Sequence, residues 1–140
     1  MTRREIRQTV FCLLYMNGFY EEDQLNDQLD LYFNADHEGE YSEEDEKYIK
    51  EKLCNIISKA EELDGFIGES AKGWKISRLN KVDLCILRLA VYEMIYDEDV
   101  PYKVAINEAV DIAKQYGGED SPAFINGILG KIASWKGLMD

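Results

Sequence analysis

The chain has 140 residues, of which 46% are hydrophobic, and it carries a formal net charge of −12 at pH 7. This length and composition exclude a disordered chain and are sufficient for a domain with its own hydrophobic core. No apolar run approaches the ~20 residues that a bilayer-spanning helix needs, so we expect no transmembrane segment.

The first predicted element is a helix that begins with a capping signal. Thr2 and Glu5 have the spacing of a capping box, in which each side chain accepts a hydrogen bond from the other residue's backbone amide. Gly18 is a typical helix terminator, so the pattern predicts a helix over about Arg3–Asn17. The segment is basic and then apolar, but it lacks a small-residue cleavage site, so we do not expect a signal peptide.

Three arginines of this helix, Arg3, Arg4 and Arg7, lie on an arc beside its apolar stripe, and Phe11 and Tyr15 continue that arc. Basic residues next to aromatic ones suit phosphate contact combined with base stacking. The pattern alone leaves a second interpretation open, in which the arginines are a solvated helix end and the aromatic residues belong to the core.

The negative charge is concentrated in one segment. Residues Glu21 to Glu46 include twelve acidic residues and no lysine or arginine, whereas the sixteen acidic residues elsewhere are balanced by sixteen basic ones. Because nucleic-acid binding depends on local patches, the total charge does not exclude it. The segment is expected to form a helix over about Glu22–Phe33 and then a loop, which favours a solvated acidic face.

Ser42 and Asp45 are candidates to cap a third, long helix, which is expected to continue to about Leu63. The sequence Gly-Trp-Lys at positions 73–75 predicts the joint between two lobes, residues 1–73 and 74–140. The tryptophan of this joint, Trp74, is expected to be a packing anchor.

The next predicted helix starts at Ser77 and continues to about Tyr96. It is apolar on nearly all sides, which is typical of a central, buried helix. Asp83, Arg88 and Glu93 interrupt its apolar surface, and an unpaired buried charge costs several kcal/mol. These residues are therefore expected to form either internal salt bridges or a docking edge for another protein.

The C-terminal segment carries two conflicting signals. Asn126-Gly127 between apolar residues is typical of a tight β-hairpin, whereas Ser121-Pro122 is typical of a helix start, with serine as the cap. The apolar residues around them have helical spacing, so we predict a helix here, following another over about residues 103–116. Glycine in a helix interior costs roughly 1 kcal/mol relative to alanine, and we expect Gly127 to be required by the close approach of another helix.

The sequence lacks the short motifs of common catalytic and nucleotide-binding sites, such as the phosphate-binding glycine loop and the zinc-protease motif. His37 is the single histidine, and Cys12, Cys54 and Cys85 are too scattered to form a zinc site. An odd number of distant cysteines predicts reduced thiols in a cytoplasmic protein. We therefore expect no metal, no cofactor and no enzymatic activity.

Three segments resemble the NusB family of bacterial transcription antitermination factors. The run VPYKVAINEAVDIAKQYGGEDSPAFINGILGKI (Val100–Ile132) closely resembles the family's C-terminal signature, and SRLNKVDLCILRLAVYEM (Ser77–Met94) resembles the helix that precedes it. The N-terminal RREIRQTVFCLLYM is similar to the family's arginine-bearing first helix. The resemblance implies an all-α, NusB-like fold, with about seven helices in two packed bundles within a single domain, residues 1–140.

The resemblance also implies a function and partners. A protein of this family pairs with the small-subunit ribosomal protein NusE, binds the boxA element of nascent RNA and joins the RNA polymerase antitermination complex, chiefly on ribosomal RNA operons. Such a protein is expected in the cytoplasm, without membrane association, as a monomer or weak homodimer.

The residues that the resemblance assigns fall into two groups. Those expected to bind RNA lie on the first helix and on the edge formed by the last two helices: Arg3, Arg4, Arg7, Lys103, Asp120 and Phe124. Those expected to bind the partner protein lie on the C-terminal lobe: Asp83 and Arg88. The short basic arm and the heavy acidic segment indicate weak RNA binding by the isolated protein and a strong dependence on its partner.

Two other functions remain to be compared with this one. The first is a helical protein-interaction module without intrinsic RNA binding. The second is an RNA-binding accessory domain of an RNA methyltransferase, since NusB-like domains occur fused to such enzymes. We discount the second because 140 residues leave no room for a catalytic domain.

Overall fold

The computed structural model describes residues 1–17, 22–36, 41–71, 73 and 75–138. In these residues the chain forms seven α-helices and no β-strand, which confirms the predicted all-α class. The helices are, in chain order, α1 (Arg3–Asn17), α2 (Glu22–Leu31), α3 (Glu43–Ser58), α4 (Ala60–Ser70), α5 (Lys81–Tyr96), α6 (Tyr102–Tyr116) and α7 (Ser121–Trp135). None of the described helices is both long and apolar enough to span a bilayer.

The chain divides into two compact units, Met1–Ser58 and Lys59–Asp140. This boundary lies one helix earlier than the predicted joint at residues 73–75. The reason is that α4 packs on α5 and α7 and so belongs to the second unit. Trp74, the expected anchor of the joint, lies outside the described residues.

In the first unit, α1 begins with the predicted capping box. The Thr2 amide donates to Glu5 Oε1 at 3.0 Å, and the Glu5 amide donates to Thr2 Oγ1 at 3.1 Å. The helix packs against α3 through its apolar stripe, in which Val10, Leu13 and Leu14 are buried. The capping box fixes where α1 starts, so the arginines of its first turns have a defined place. The expected terminator, Gly18, is outside the described residues.

The acidic segment contributes α2 and the start of α3. Helix α2 continues as a π-helix over Tyr32–Asp36, so the α-helical part ends two residues before the predicted limit. Ser42 caps α3 as expected, because its Oγ accepts the Asp45 amide at 3.0 Å. Lys50 of α3 joins the two helices through an ion pair with Asp30 at 2.9 Å.

The predicted third helix is in fact two helices. The helical hydrogen bonding stops at Ser58, a turn follows at Lys59, and α4 begins at Ala60. The Leu63 amide donates to the Lys59 carbonyl at 2.9 Å, so Lys59 is the N-cap residue of α4. This break separates the two units.

The second unit is built around α5, whose side chains are buried on nearly all sides as predicted. The predicted cap at Ser77 is wrong. Residues Ile76–Arg78 form a short 3₁₀-helix, and Asn80 is the N-cap, since its Oδ1 accepts the Asp83 amide at 2.8 Å. Helices α6 and α7 pack on α5 and on each other.

The conflict in the C-terminal segment is resolved in favour of the helix, because Asn126 and Gly127 lie within α7. Asp120 rather than Ser121 occupies the N-cap position, and no side chain caps this helix. Ser121 is buried, and its Oγ accepts the Gly118 amide at 3.0 Å.

The expected close approach at Gly127 is wrong. This residue is exposed, and a Cβ added to it would meet no atom within 4 Å. The close approach occurs at Gly117 instead, where a Cβ would lie 2.6 Å from Ser121 Cβ and 2.8 Å from the Ala113 carbonyl oxygen. The tight turn between α6 and α7 therefore depends on glycine at position 117.

Candidate functional site

The first unit presents a basic helix end. Arg3 and Arg4 are exposed in the first turn of α1, and Arg7, one turn later, is 7% exposed. Cations near a helix N-terminus are unfavourable by about 0.3–1 kcal/mol each, because the helix dipole is positive there. Arg3 and Arg4 therefore interact unfavourably with the helix dipole, and together with the N-terminal amides they form a surface that favours anions.

The aromatic residues on the same arc differ in their exposure. Tyr15 is 39% exposed, whereas Phe11 is only 3% exposed because it packs into the core. Of the two interpretations left open for Phe11, stacking surface or core residue, the structure therefore shows the second. The arc borders the buried stripe of α1, and packing against α3 covers the residues nearest to that stripe.

The second unit contains a groove that brings together residues from both predicted groups. It has a volume of about 400 Å³ and lies where the start of α5 meets the start of α7. The groove is lined by Asp83, which is expected to bind the partner protein. It is also lined by Asp120 and Phe124, which are expected to bind RNA. Phe124 is half-buried, so part of its ring can meet a ligand. Lys103 is exposed on α6 and is not among the residues that line the groove.

Asp83 is held in place by a reciprocal interaction with the cap of α5. Its Oδ2 accepts Asn80 Nδ2 at 3.0 Å, while its amide donates to Asn80 Oδ1. The other oxygen, Oδ1, is buried without a hydrogen-bond partner among the described residues. Asp83 therefore has a structural role at the cap of α5, and a donor from outside the chain that reaches Oδ1 would stabilise it further.

Arg88 forms an ion pair inside the second unit. Its Nε and Nη2 donate to the two carboxylate oxygens of Asp64 on α4 at 2.8 and 2.7 Å. This bidentate pairing raises the pKa of Arg88 above its usual value, against the opposing effect of burial. Of the two roles left open for Arg88, the structure shows the internal one, and the contact with a partner protein stays a prediction.

Two residues at the groove, Arg78 and Asn80, were not predicted from the sequence to belong to a functional site. Arg78 ends the 3₁₀-helix before α5 and lines the groove, and Asn80 caps the helix. The sequence predicts both residues inside a helix that starts at Ser77. The spacing Asn80-x-x-Asp83 is itself a capping signal and could have placed the helix start correctly, leaving Arg78 in the preceding turn.

Among the described residues, no group of three or more histidine, cysteine or acidic side chains is arranged so that it could hold a metal ion. Cys12, Cys54 and Cys85 form no disulfide bonds. Burial raises the pKa of Cys85 to about 11, which keeps it protonated near neutral pH and unsuited to nucleophilic chemistry. His37 lies outside the described residues.

Comparisons with known proteins agree on one family. The NusB family model matches residues 4–134. A transcription antitermination protein NusB from Agathobacter rectalis is 46% identical over 133 residues, which cover 95% of this chain and all of that protein. A second NusB, from Acetivibrio thermocellus, is 45% identical over 139 residues, covering 97% of this chain and 91% of that protein.

Solved structures of the family share the fold. NusB from T. maritima superposes with a TM-score of 0.84 and 33% identity, covering 96% of this chain and 92% of that one. A NusB chain from a crystal structure of the antitermination factors NusB and NusE with double-stranded RNA gives a TM-score of 0.75 and 26% identity, covering 95% of this chain and 96% of that one.

Proposed function

Because this chain belongs to the NusB family, we propose that it is an RNA-binding transcription antitermination factor that acts together with the ribosomal protein NusE. The similar structure of NusB with NusE and RNA supports both partners. In this proposal the pair binds boxA RNA in the cytoplasm and helps RNA polymerase to read through terminators in ribosomal RNA operons. The protein acts by binding and not by catalysis.

The observation that carries the RNA-binding part of the proposal is the basic start of α1. Arg3 and Arg4 are exposed at the positive end of the helix dipole, where they oppose helix stability. A negatively charged ligand reverses this cost, because it interacts favourably with the guanidinium groups and with the helix end. Arg7 supports the same surface from the next turn.

The second unit contributes further contacts in this proposal. Lys103 reaches a phosphate from the exposed face of α6, and the half-buried ring of Phe124 offers a stacking surface for a base. Asp120 is exposed and repels phosphate, so it faces hydrogen-bond donors of the RNA, such as base amino groups or ribose hydroxyls. Asp120 thereby restricts the path that the RNA backbone can take past α7.

NusE docks on the second unit in this proposal, near Asp83 and Arg88. The unsatisfied Oδ1 of Asp83 lies below the groove surface, where a donor from a partner protein stabilises it after a small local adjustment. Arg88 contributes by holding α4 against α5 through Asp64. The protein itself is a monomer or weak homodimer that gains RNA affinity when the partner is bound.

The net charge of −12 favours one competing function, a protein-interaction module without RNA affinity. A binding experiment separates the two. Affinity for boxA-like and scrambled RNA is measured with and without NusE. The proposal expects weak binding by the protein alone, and tighter, boxA-selective binding with NusE. RNA affinity that equals that of NusE alone would contradict the proposal and favour the interaction module.

A further inference from the structure

The groove at the start of α7 has an uneven charge distribution. Among the described residues that line it, three are carboxylates, Asp83, Glu119 and Asp120, and one is a cation, Arg78. A phosphate entering this groove meets net repulsion everywhere except beside Arg78. Among these residues, the guanidinium of Arg78 is therefore the group that attracts a phosphate into the groove that Phe124 also lines.

Arg78 is suited to bind a ligand because it has no partner within the described part of the chain. Its side chain is exposed, and no hydrogen bond or ion pair to another described side chain engages it. In Arg88, by contrast, the guanidinium is occupied by the carboxylate of Asp64. Because the guanidinium of Arg78 is not paired with the carboxylates that line the groove, its N–H donors are available to bind an external anion.

The backbone that carries Arg78 is held on both sides. The Arg78 amide donates to the Lys75 carbonyl at 2.9 Å, and the Leu79 amide donates to the Ile76 carbonyl at 3.1 Å. Asn80 then caps α5 directly after this turn. Binding at Arg78 therefore orders one side chain and not a loop, which lowers the entropic cost of the contact.

We propose that Arg78 is a further RNA-binding residue, whose guanidinium holds a backbone phosphate of the nucleotide that stacks on Phe124. The inference rests on the proposed function and deepens it at the same groove. With the phosphate at Arg78, the base and ribose face the exposed carboxylates of Glu119 and Asp120, which accept hydrogen bonds from their amino and hydroxyl groups. A base on Phe124 must leave its own stack, so the RNA at this position is single-stranded.

The test measures RNA affinity at several salt concentrations, with NusE present, for the wild-type protein and for Arg78→Gln and Arg78→Lys. Losing a charge-assisted contact weakens binding roughly tenfold for boxA-like and scrambled RNA alike. It also reduces the slope of log affinity against log salt by about 0.7. Arg78→Lys keeps the slope because it keeps the charge, but it recovers only part of the affinity.

Lys75→Gln is the matched control, since Lys75 is exposed in the same turn and its replacement removes the same charge. It is expected to leave the slope unchanged. If Arg78→Gln leaves the slope of a binding-competent complex unchanged, the inference is overturned. A loss of NusE affinity in Arg78→Gln without RNA would also overturn it, in favour of a protein contact. Absence of RNA binding by the wild-type complex would instead overturn the proposed function, and the inference with it.

Discussion

Gly127 and Gly117 are glycines for different physical reasons. At Gly127 the sequence predicts a close helix contact, but the residue lies on the exposed face of α7 with open space around it. At Gly117 backbone and side-chain atoms occupy the space that a Cβ would need. Sequence shows only that a helix contains a glycine, whereas the reason for it depends on what lies opposite, which is a property of tertiary packing.

Gly127→Ala is therefore expected to stabilise the protein by about 1 kcal/mol, because alanine gains helix propensity and meets no steric conflict. Urea unfolding followed by circular dichroism measures the change. A lower stability of this variant would show that another group approaches α7 at this position after all.

Gly117→Ala provides the opposite case. The added methyl group clashes with a carbonyl oxygen of the preceding helix, so we expect a loss of roughly 1–3 kcal/mol. Unchanged stability in the same unfolding experiment would mean that the turn between α6 and α7 adjusts at little cost, contrary to the packing described for Ser121.

The residues of the candidate site were predictable to different degrees. The exposed positions of Arg3 and Arg4 follow from the helical arc of α1. The burial of Phe11 does not, because an arc beside the core stripe is covered or exposed according to how α3 packs on it. The pairing of Arg88 with Asp64 joins residues 24 positions apart, so no local spacing indicates it.

At the scale of elements, the capping box of α1 makes stability depend on pH. The backbone amide of Thr2, followed by its hydroxyl, stabilises the Glu5 carboxylate and lowers the pKa of Glu5 below its ordinary value of 4.5. Because the pKa of Glu5 is lower in the folded state, the contribution of its carboxylate to the free energy of unfolding is fully present above pH 4.5. It is lost as pH falls through the folded-state pKa.

Glu5→Gln is expected to lower stability at pH 7, and its difference from wild type is expected to be smaller at pH 3, because the ionised fraction of the Glu5 carboxylate decreases as the pH falls below 4.5. Urea unfolding at both pH values tests this. Glu51→Gln, an exposed change in the middle of α3, serves as the control for general charge effects. A difference between Glu5→Gln and wild type that is independent of pH would refute the role of the ionised carboxylate.

Elements with strong end signals were predicted well, and breaks without such signals were not. Helix α6 runs from Tyr102 to Tyr116, close to the predicted limits. Pro101 marks its start, and Gly117 and Gly118 mark its end. The break at Lys59 has neither glycine nor proline, and helical periodicity continues across it. A single turn residue interrupts the helix there, and α4 belongs to the second unit because it packs on α5 and α7.

At the scale of the molecule, charge is segregated. The acidic excess lies within residues 21–46, and its field opposes the approach of RNA anywhere within a screening length. Neutralising exposed acids of this segment by Asp27→Asn, Glu43→Gln and Glu44→Gln is expected to tighten binding of boxA-like and scrambled RNA equally at low salt. This gain in RNA affinity disappears at high salt, because the ions screen the field of the acidic segment. A change in sequence preference would instead indicate direct contacts between this segment and RNA.

The central claim is that the arginines of α1 bind RNA phosphates. Its most direct test is the salt dependence of RNA binding, with NusE present, for the triple variant Arg3→Ala/Arg4→Ala/Arg7→Ala. Three lost contacts reduce the slope of log affinity against log salt by about 2. Because Arg7 is buried, a melting curve checks the fold. The double variant Arg3→Ala/Arg4→Ala is expected to reduce the same slope by about 1.4.

The control removes three positive charges from exposed positions elsewhere, by Lys47→Ala, Lys114→Ala and Lys131→Ala. The account predicts a reduced slope for the arginine variants and a slope close to that of the wild type for the lysine control. An unchanged slope in a folded arginine variant would contradict it and place the RNA on another surface.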